Sequence, residues 1–100
     1  MNKYSMLTIL VLTIVTSCSK VSESDITRAC IKIGNTPKYL APSVHADEYY
    51  KLVDKSGKKS SASALSLEYS LKNMELSVMS GSAYSFQDAC EKDFRDDFLN

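Results

Sequence analysis

Apolar residues return every three or four positions along most of this chain, which is the spacing of a helix face. Ile26, Ala29, Cys30 and Ile33 fall at i, i+3, i+4 and i+7 and predict a short helix with Cys30 on its apolar stripe. Ser22 and Ser24 are candidate N-caps, Asp25 suits the first turn, and Gly34-Asn35 reads as a stop. Thr36 to Ser43 carries Pro37 and Pro42 and predicts an irregular crossing. Ala46, Tyr49, Tyr50 and Val53, with Leu52 beside them, predict a second helix over about 45 to 55. The alternative there is a hairpin turning at Lys55-Ser56-Gly57-Lys58.

Residues 62–79 fit two patterns, and the choice decides the fold class. Ala64, Leu67, Leu71, Met74 and Val78 form a helical stripe, while Leu65, Leu67, Tyr69 and Leu71 alternate as a strand would. A strand needs a tight turn at Lys72-Asn73, where no Gly supplies positive φ. Leu, Met, Glu, Lys and Ala dominate the segment and prefer helix, so helix is expected. After Gly81, Ser85 can cap a last helix with Phe86, Ala89, Cys90, Phe94 and Phe98 on one face. Asp88 with Lys92, and Glu91 with Arg95, are i, i+4 acid-to-base pairs on its other side. The expected fold is therefore all-α, a small bundle of about four short helices stapled by one disulfide. The alternative is α+β with a hairpin in 62–79.

The N-terminus has a different pattern. Lys3 precedes a largely apolar run, Met6 to Val15, interrupted by Thr8 and Thr13, which ends in Val15-Thr16-Ser17-Cys18. The run is short for a spanning helix, which needs about 20 apolar residues, and reads better as the core of a removable leader. This segment resembles a bacterial lipoprotein signal peptide, whose lipobox is an apolar residue, two small residues and an obligatory Cys. The resemblance implies cleavage after Ser17 and lipidation of Cys18, with several acyl chains anchoring the protein firmly in a membrane. Ser19, where an Asp commonly retains lipoproteins at the inner membrane, implies the outer membrane, facing the periplasm or the cell surface. In a cell with a single membrane the same leader implies its extracytoplasmic face. The expected organisation is a signal peptide over 1–17, a lipidated N-terminus and Ser-rich tether over 18–24, and one helical domain over 25–100.

Cleavage leaves 83 residues, one domain's worth, whose core is marginal without an added constraint. With Cys18 given to the lipid, Cys30 and Cys90 remain as an even pair in an oxidising compartment and are expected to form a disulfide. They share a short echo, Arg28-Ala29-Cys30-Ile31-Lys32 and Asp88-Ala89-Cys90-Glu91-Lys92, which places both thiols on apolar helical faces. A redox pair or a zinc site is disfavoured, since no Cys-x-x-Cys occurs and two Cys with one His fall short of four donors.

Charge and motifs narrow the function by exclusion. The whole chain is neutral, and loss of Lys3 with the leader leaves −1, so nucleic acid is not an expected partner. Lys51, Lys55, Lys58 and Lys59 surround a Ser-Gly turn and read as a solvated surface. His45, beside Pro42 and Asp47, is expected at the surface or as a cap. Asp47-Glu48 and Asp96-Asp97 are adjacent acids that point apart on a helix and do not make a catalytic dyad. Of Tyr49 and Tyr50, one is expected in the core and one outside. No Gly-rich phosphate loop, tryptophan platform or nucleophile elbow is present. The reading is a non-enzymatic, cofactor-free and metal-free envelope lipoprotein that binds a protein partner in an accessory role. The alternative is an exclusion or immunity lipoprotein of a mobile element, blocking phage entry, conjugation or a toxin.

Overall fold

The computed structural model describes residues 20–59 and 62–99. Four helices follow one another: α1 (Glu23–Gly34), α2 (Ala41–Ser56), α3 (Ala64–Met79) and α4 (Phe86–Phe98). Among the described residues there is no strand, so the hairpins considered at 49–59 and within 62–79 are excluded. Each helix packs on the next and α4 closes back on α1, with α2 and α4 the touching diagonal. Connections of six or seven residues force neighbours to run antiparallel. The side-chain pairings follow that direction: Asp25 meets Lys55 and Lys32 meets Glu48 across α1 and α2, and Glu23 meets Arg95 across α1 and α4. One end of the bundle therefore gathers the start of α1, the end of α2, the start of α3 and the end of α4.

The helix starts are set by short polar side chains. Ser22 accepts from the Asp25 amide at 3.2 Å while the Asp25 carboxylate accepts from the Ser22 amide at 2.9 Å, a reciprocal capping box. Ser63 and Ser66 make the same exchange at α3, and Ser85 accepts from the Asp88 amide at α4. Helix α2 lacks a side-chain cap and begins earlier than the sequence pattern indicates. The Pro37 carbonyl accepts from the Leu40 and Ala41 amides, and Pro42 then sits in the first turn, where its missing N–H costs no helical bond. The supposed irregular crossing through Ser43 is thus half loop and half helix. At the other end Gly57 closes α2 with φ of 73°, a conformation that disfavours a side chain.

The core is built from Val21, Ile26, Ala29, Cys30 and Ile33, from Leu52 and Val53, from Leu71 and Met74, and from Cys90, Phe94 and Phe98. Val21 is buried ahead of α1, so the fold takes up residues that the sequence pattern leaves to a tether over 18–24. Phe94 is the hub of an aromatic cluster, with ring centroids 5.7 Å from His45, 6.2 Å from Tyr49 and 6.1 Å from Phe98. Tyr49 packs inward as expected of one of the two tyrosines, while Tyr50 is exposed and its hydroxyl donates to the Ala62 carbonyl at 2.7 Å.

Cys30 and Cys90 are bonded at the centre of the α1–α4 contact, with Cα atoms 5.8 Å apart and both side chains fully buried. The bridge spans 60 residues, and closing a loop of that length stabilises the folded state by about 4 kcal/mol in the chain-entropy account. Replacing both cysteines by alanine is expected to lower the melting temperature by roughly 15–30 °C in a domain of this size. Thermal unfolding followed by circular dichroism measures it; a shift of only a few degrees would mean that packing alone closes the bundle.

Candidate functional site

The residues that sequence reasoning singled out do not converge. Cys18, the expected lipid attachment residue, lies outside the described residues, as does the leader. Cys30 and Cys90 are joined in the core as a structural bridge. Ser43 donates its hydroxyl to the Leu40 carbonyl at 3.0 Å within the first turn of α2, and Asp47 is exposed. His45, expected at the surface or as a cap, is instead buried, with 1% of its surface exposed. The helical phase explains the correction: the inward residues of α2 are His45, Leu52 and Val53 with Val44 and Tyr49 beside them, one position away from the Ala46-based stripe.

His45 sits against Phe94 and neither ring nitrogen has a hydrogen-bond partner. Burial holds its pKa below the ordinary histidine value, so the imidazole is neutral in the fold. A neutral imidazole sealed from solvent, with no donor or acceptor beside it, cannot move a proton to a substrate. It is a cost to the core: an unsatisfied buried polar atom destabilises by about 1–3 kcal/mol.

The acidic residues divide between structure and surface. Asp25 accepts from Lys55 and Arg28, each at 2.7 Å, besides its cap contact with Ser22, and Lys55 above all holds its carboxyl well below the usual carboxylate range. This carboxylate fastens the end of α2 to the start of α1. Lys51 pairs with Glu48 at 3.1 Å, so two of the lysines read as a solvated run are engaged in ion pairs. On α4, Glu91 meets Arg95 at 3.3 Å, as its i, i+4 spacing indicates, and accepts from Gln87. Gln87 also donates to the Thr27 carbonyl and Arg95 reaches Glu23, which makes this side of α4 a seam with α1.

Between α3 and α4 an open cleft of about 270 Å³ is lined by Ser70, Asn73, Ser77, Lys92, Asp93 and Asp96 among others. Burial, with the nearby Asp97 and Asp96 charges, pushes Asp93 up to about 6. The cleft presents hydroxyl, amide and charged groups, with Lys92 and Asp96 beside Asp93. A narrower, more apolar groove at the far end of the bundle is lined by Ile33, Ala41, Leu71 and Phe86, with Lys38 and Glu75 at its edges. Among the described residues no group of three or more His, Cys, Asp or Glu could hold a metal ion. Among them, too, no helix is long and apolar enough to cross a membrane.

One surface was missed by the sequence reading. Leu65, Tyr69, Leu76 and Met79 are all exposed along the outer side of α3, opposite the buried Leu67, Leu71 and Met74. Their spacing of four, seven and three was available as a signal. Comparison with family models, with curated proteins and with solved structures returns no match, so residues and fold alone carry the functional argument.

The buried groups give the pH dependence a definite sign. His45 has a depressed folded pKa, so the unfolded chain takes up its proton first and stability falls as pH drops through about 6.5. Asp93 has a raised folded pKa, so the folded state takes up its proton first and stability rises as pH drops from about 6 toward 3.8. The two oppose each other in the wild type. His45→Leu is expected to stabilise the fold by about 1–3 kcal/mol at pH 7 and to leave a stability that increases on mild acidification. Asp93→Asn should show the reverse slope. Urea titrations at pH 7, 6 and 5 read both, and a His45→Leu variant less stable than wild type at pH 7 would contradict the assignment.

Proposed function

We propose that the protein is a small lipoprotein, anchored through acyl chains on Cys18 to the extracytoplasmic face of a bacterial membrane, with a non-catalytic binding role in the envelope. The observation that carries this is the run Met6 to Val15 followed by Val15-Thr16-Ser17-Cys18. The Cys30–Cys90 bridge supports it, because disulfides persist in the periplasm and at cell surfaces and are rare in the cytosol. Ser19 favours the outer membrane over retention at the inner one.

The tether is short, and this has a mechanical consequence. Val21 is fixed in the core only three residues beyond Cys18, and three extended residues reach at most about 10 Å. A lipid on Cys18 would hold the bundle directly on the bilayer, with the end that contains the start of α1 facing it. Lys20, Lys58 and Lys59 lie at that end, where they suit anionic headgroups. The opposite end, with exposed Tyr39, Met79 and Tyr84, would face away from the membrane toward a protein partner. A binding role fits this arrangement better than catalysis, since apolar and aromatic side chains are at the surface and the single histidine is sealed in the core.

Mass spectrometry of the membrane fraction is expected to find a mature chain that begins at Cys18 and carries acyl groups, and Cys18→Ala should accumulate as unprocessed precursor. A soluble, unacylated mature chain would overturn the reading.

A further inference from the structure

The cleft between α3 and α4 is bounded by two helical stripes of identical spacing. Ser70, Asn73, Met74 and Ser77 fall at i, i+3, i+4 and i+7 on α3, and Ala89, Lys92, Asp93 and Asp96 repeat that interval on α4. Stripes of this spacing on two antiparallel neighbours are where a helix pair ordinarily interlocks large apolar side chains. Here the seam is built from serine, asparagine and alanine, with Met74 as its one large apolar member, and the side chains leave about 270 Å³ open between the helices. That volume lies at the small end of the range for ligand sites, about 300–1,000 Å³.

The polar groups of the cleft are mostly acceptors. The Ser70 hydroxyl donates to the Ser66 carbonyl at 3.1 Å and the Ser77 hydroxyl to the Met74 carbonyl at 2.8 Å. Their protons are thus committed to α3 itself, and what they turn toward a ligand is oxygen lone pairs. Asp93, half-buried in the cleft, is acceptor-only when ionised. Among the described residues no donor reaches its carboxylate and no basic side chain pairs with it. Burial, with Asp97 and Asp96 a turn further along α4, works against its charge. Neither α3 nor the Ser82-Ala83 connection brings an ionisable group to the cleft, and Lys92 is the one cation along it. Lys92 against Asp93 and Asp96 leaves the lining one negative charge in excess.

We propose that the α3–α4 cleft is a binding site for a small, singly charged organic amine, whose ammonium donates to the Asp93 carboxylate and to the Ser70 and Ser77 oxygens. An ammonium has three donors and no acceptor, which matches an acceptor-rich lining, and one positive charge cancels the excess. A metal ion fits less well, because two carboxylates fall short of the ligands a hard cation requires. The site belongs to the two helices and is independent of the lipid anchor.

The test titrates the full chain, as isolated from expressing cells, with serinol, a three-carbon diol bearing one ammonium. Glycerol, the same skeleton with a hydroxyl in place of the ammonium, is the control. Backbone amide NMR at pH 7 should show saturable shifts at residues 70–77 and 89–96 with serinol, and at least a roughly tenfold weaker response to glycerol. Asp93→Asn should weaken serinol binding about tenfold or more. Asp54→Asn, which removes an exposed carboxylate from α2, should leave it unchanged, so that a loss in Asp93→Asn reports the cleft and not net charge. Between pH 7 and pH 5 serinol affinity should fall about tenfold with a midpoint near the Asp93 value of about 6, while the ligand stays charged. Equal binding of glycerol, shifts that persist in Asp93→Asn, or the absence of saturable shifts would overturn the proposal. Magnesium or calcium chloride displacing serinol from the same residues would also overturn it, in favour of a metal site.

Discussion

The bridge between Cys30 and Cys90 joins the first helix to the last at the point where the bundle must close. Without it, closure depends on a core of a dozen side chains, one of whose neighbours is a histidine with no hydrogen bond. The bridge removes that dependence by making the α1–α4 contact a property of the covalent chain. Around it the secondary fastenings have a consistent geometry. Gln87 and Arg95 stitch the same seam from α4, and Asp25 ties α2 to the cap of α1. Helix α3 alone has no ion pair across to a neighbour among the described residues and is held by apolar packing of Leu67, Leu71 and Met74. The least fastened helix is also the one with an apolar outer face.

Much of the architecture was legible because the local signals were unambiguous. Ser22 and Ser85 each precede an apolar period by the interval a cap requires, and both cysteines lie in phase with their helix cores, so the bridge expected from the even cysteine pair agrees with the pattern that predicted the helices. Two features were misread for physical reasons. Pro42 looks like an interruption in a linear sequence, yet in the first turn of a helix it removes a donor that would be unpaired anyway. His45 looks like a surface residue by type, and only the register of α2 against Phe94 shows that it is sealed. The Asp25–Lys55 pair joins residues 30 apart and leaves no trace in local spacing.

The ambiguity over 62–79 has a specific origin. Strand-like alternation at Leu65, Leu67, Tyr69 and Leu71 arises because these residues belong by turns to the two opposite apolar faces of α3. A helix apolar on both sides reproduces, over a short window, the period of a strand. The false strand signal and the unpartnered outer face are therefore one fact seen at two levels. Sequence reasoning that asks only which single stripe faces the core discards the second stripe.

That second stripe bears on how so small a domain reconciles folding with function. In a bundle of this size every apolar residue placed outside is lost to a core that is already marginal, and exposed side chains such as Met79 favour aggregation if they can meet in arbitrary orientations. A covalent staple relieves the first problem, since closure no longer requires α3 to contribute all its apolar residues inward. Under the proposed anchoring at Cys18, the short stretch to Val21 would relieve the second, because a bundle held against a bilayer by one end would meet its neighbours only side by side. Disulfide and two-faced helix thus depend on one another: the bridge frees the outer residues of α3, and the proposed tether would limit what they can touch.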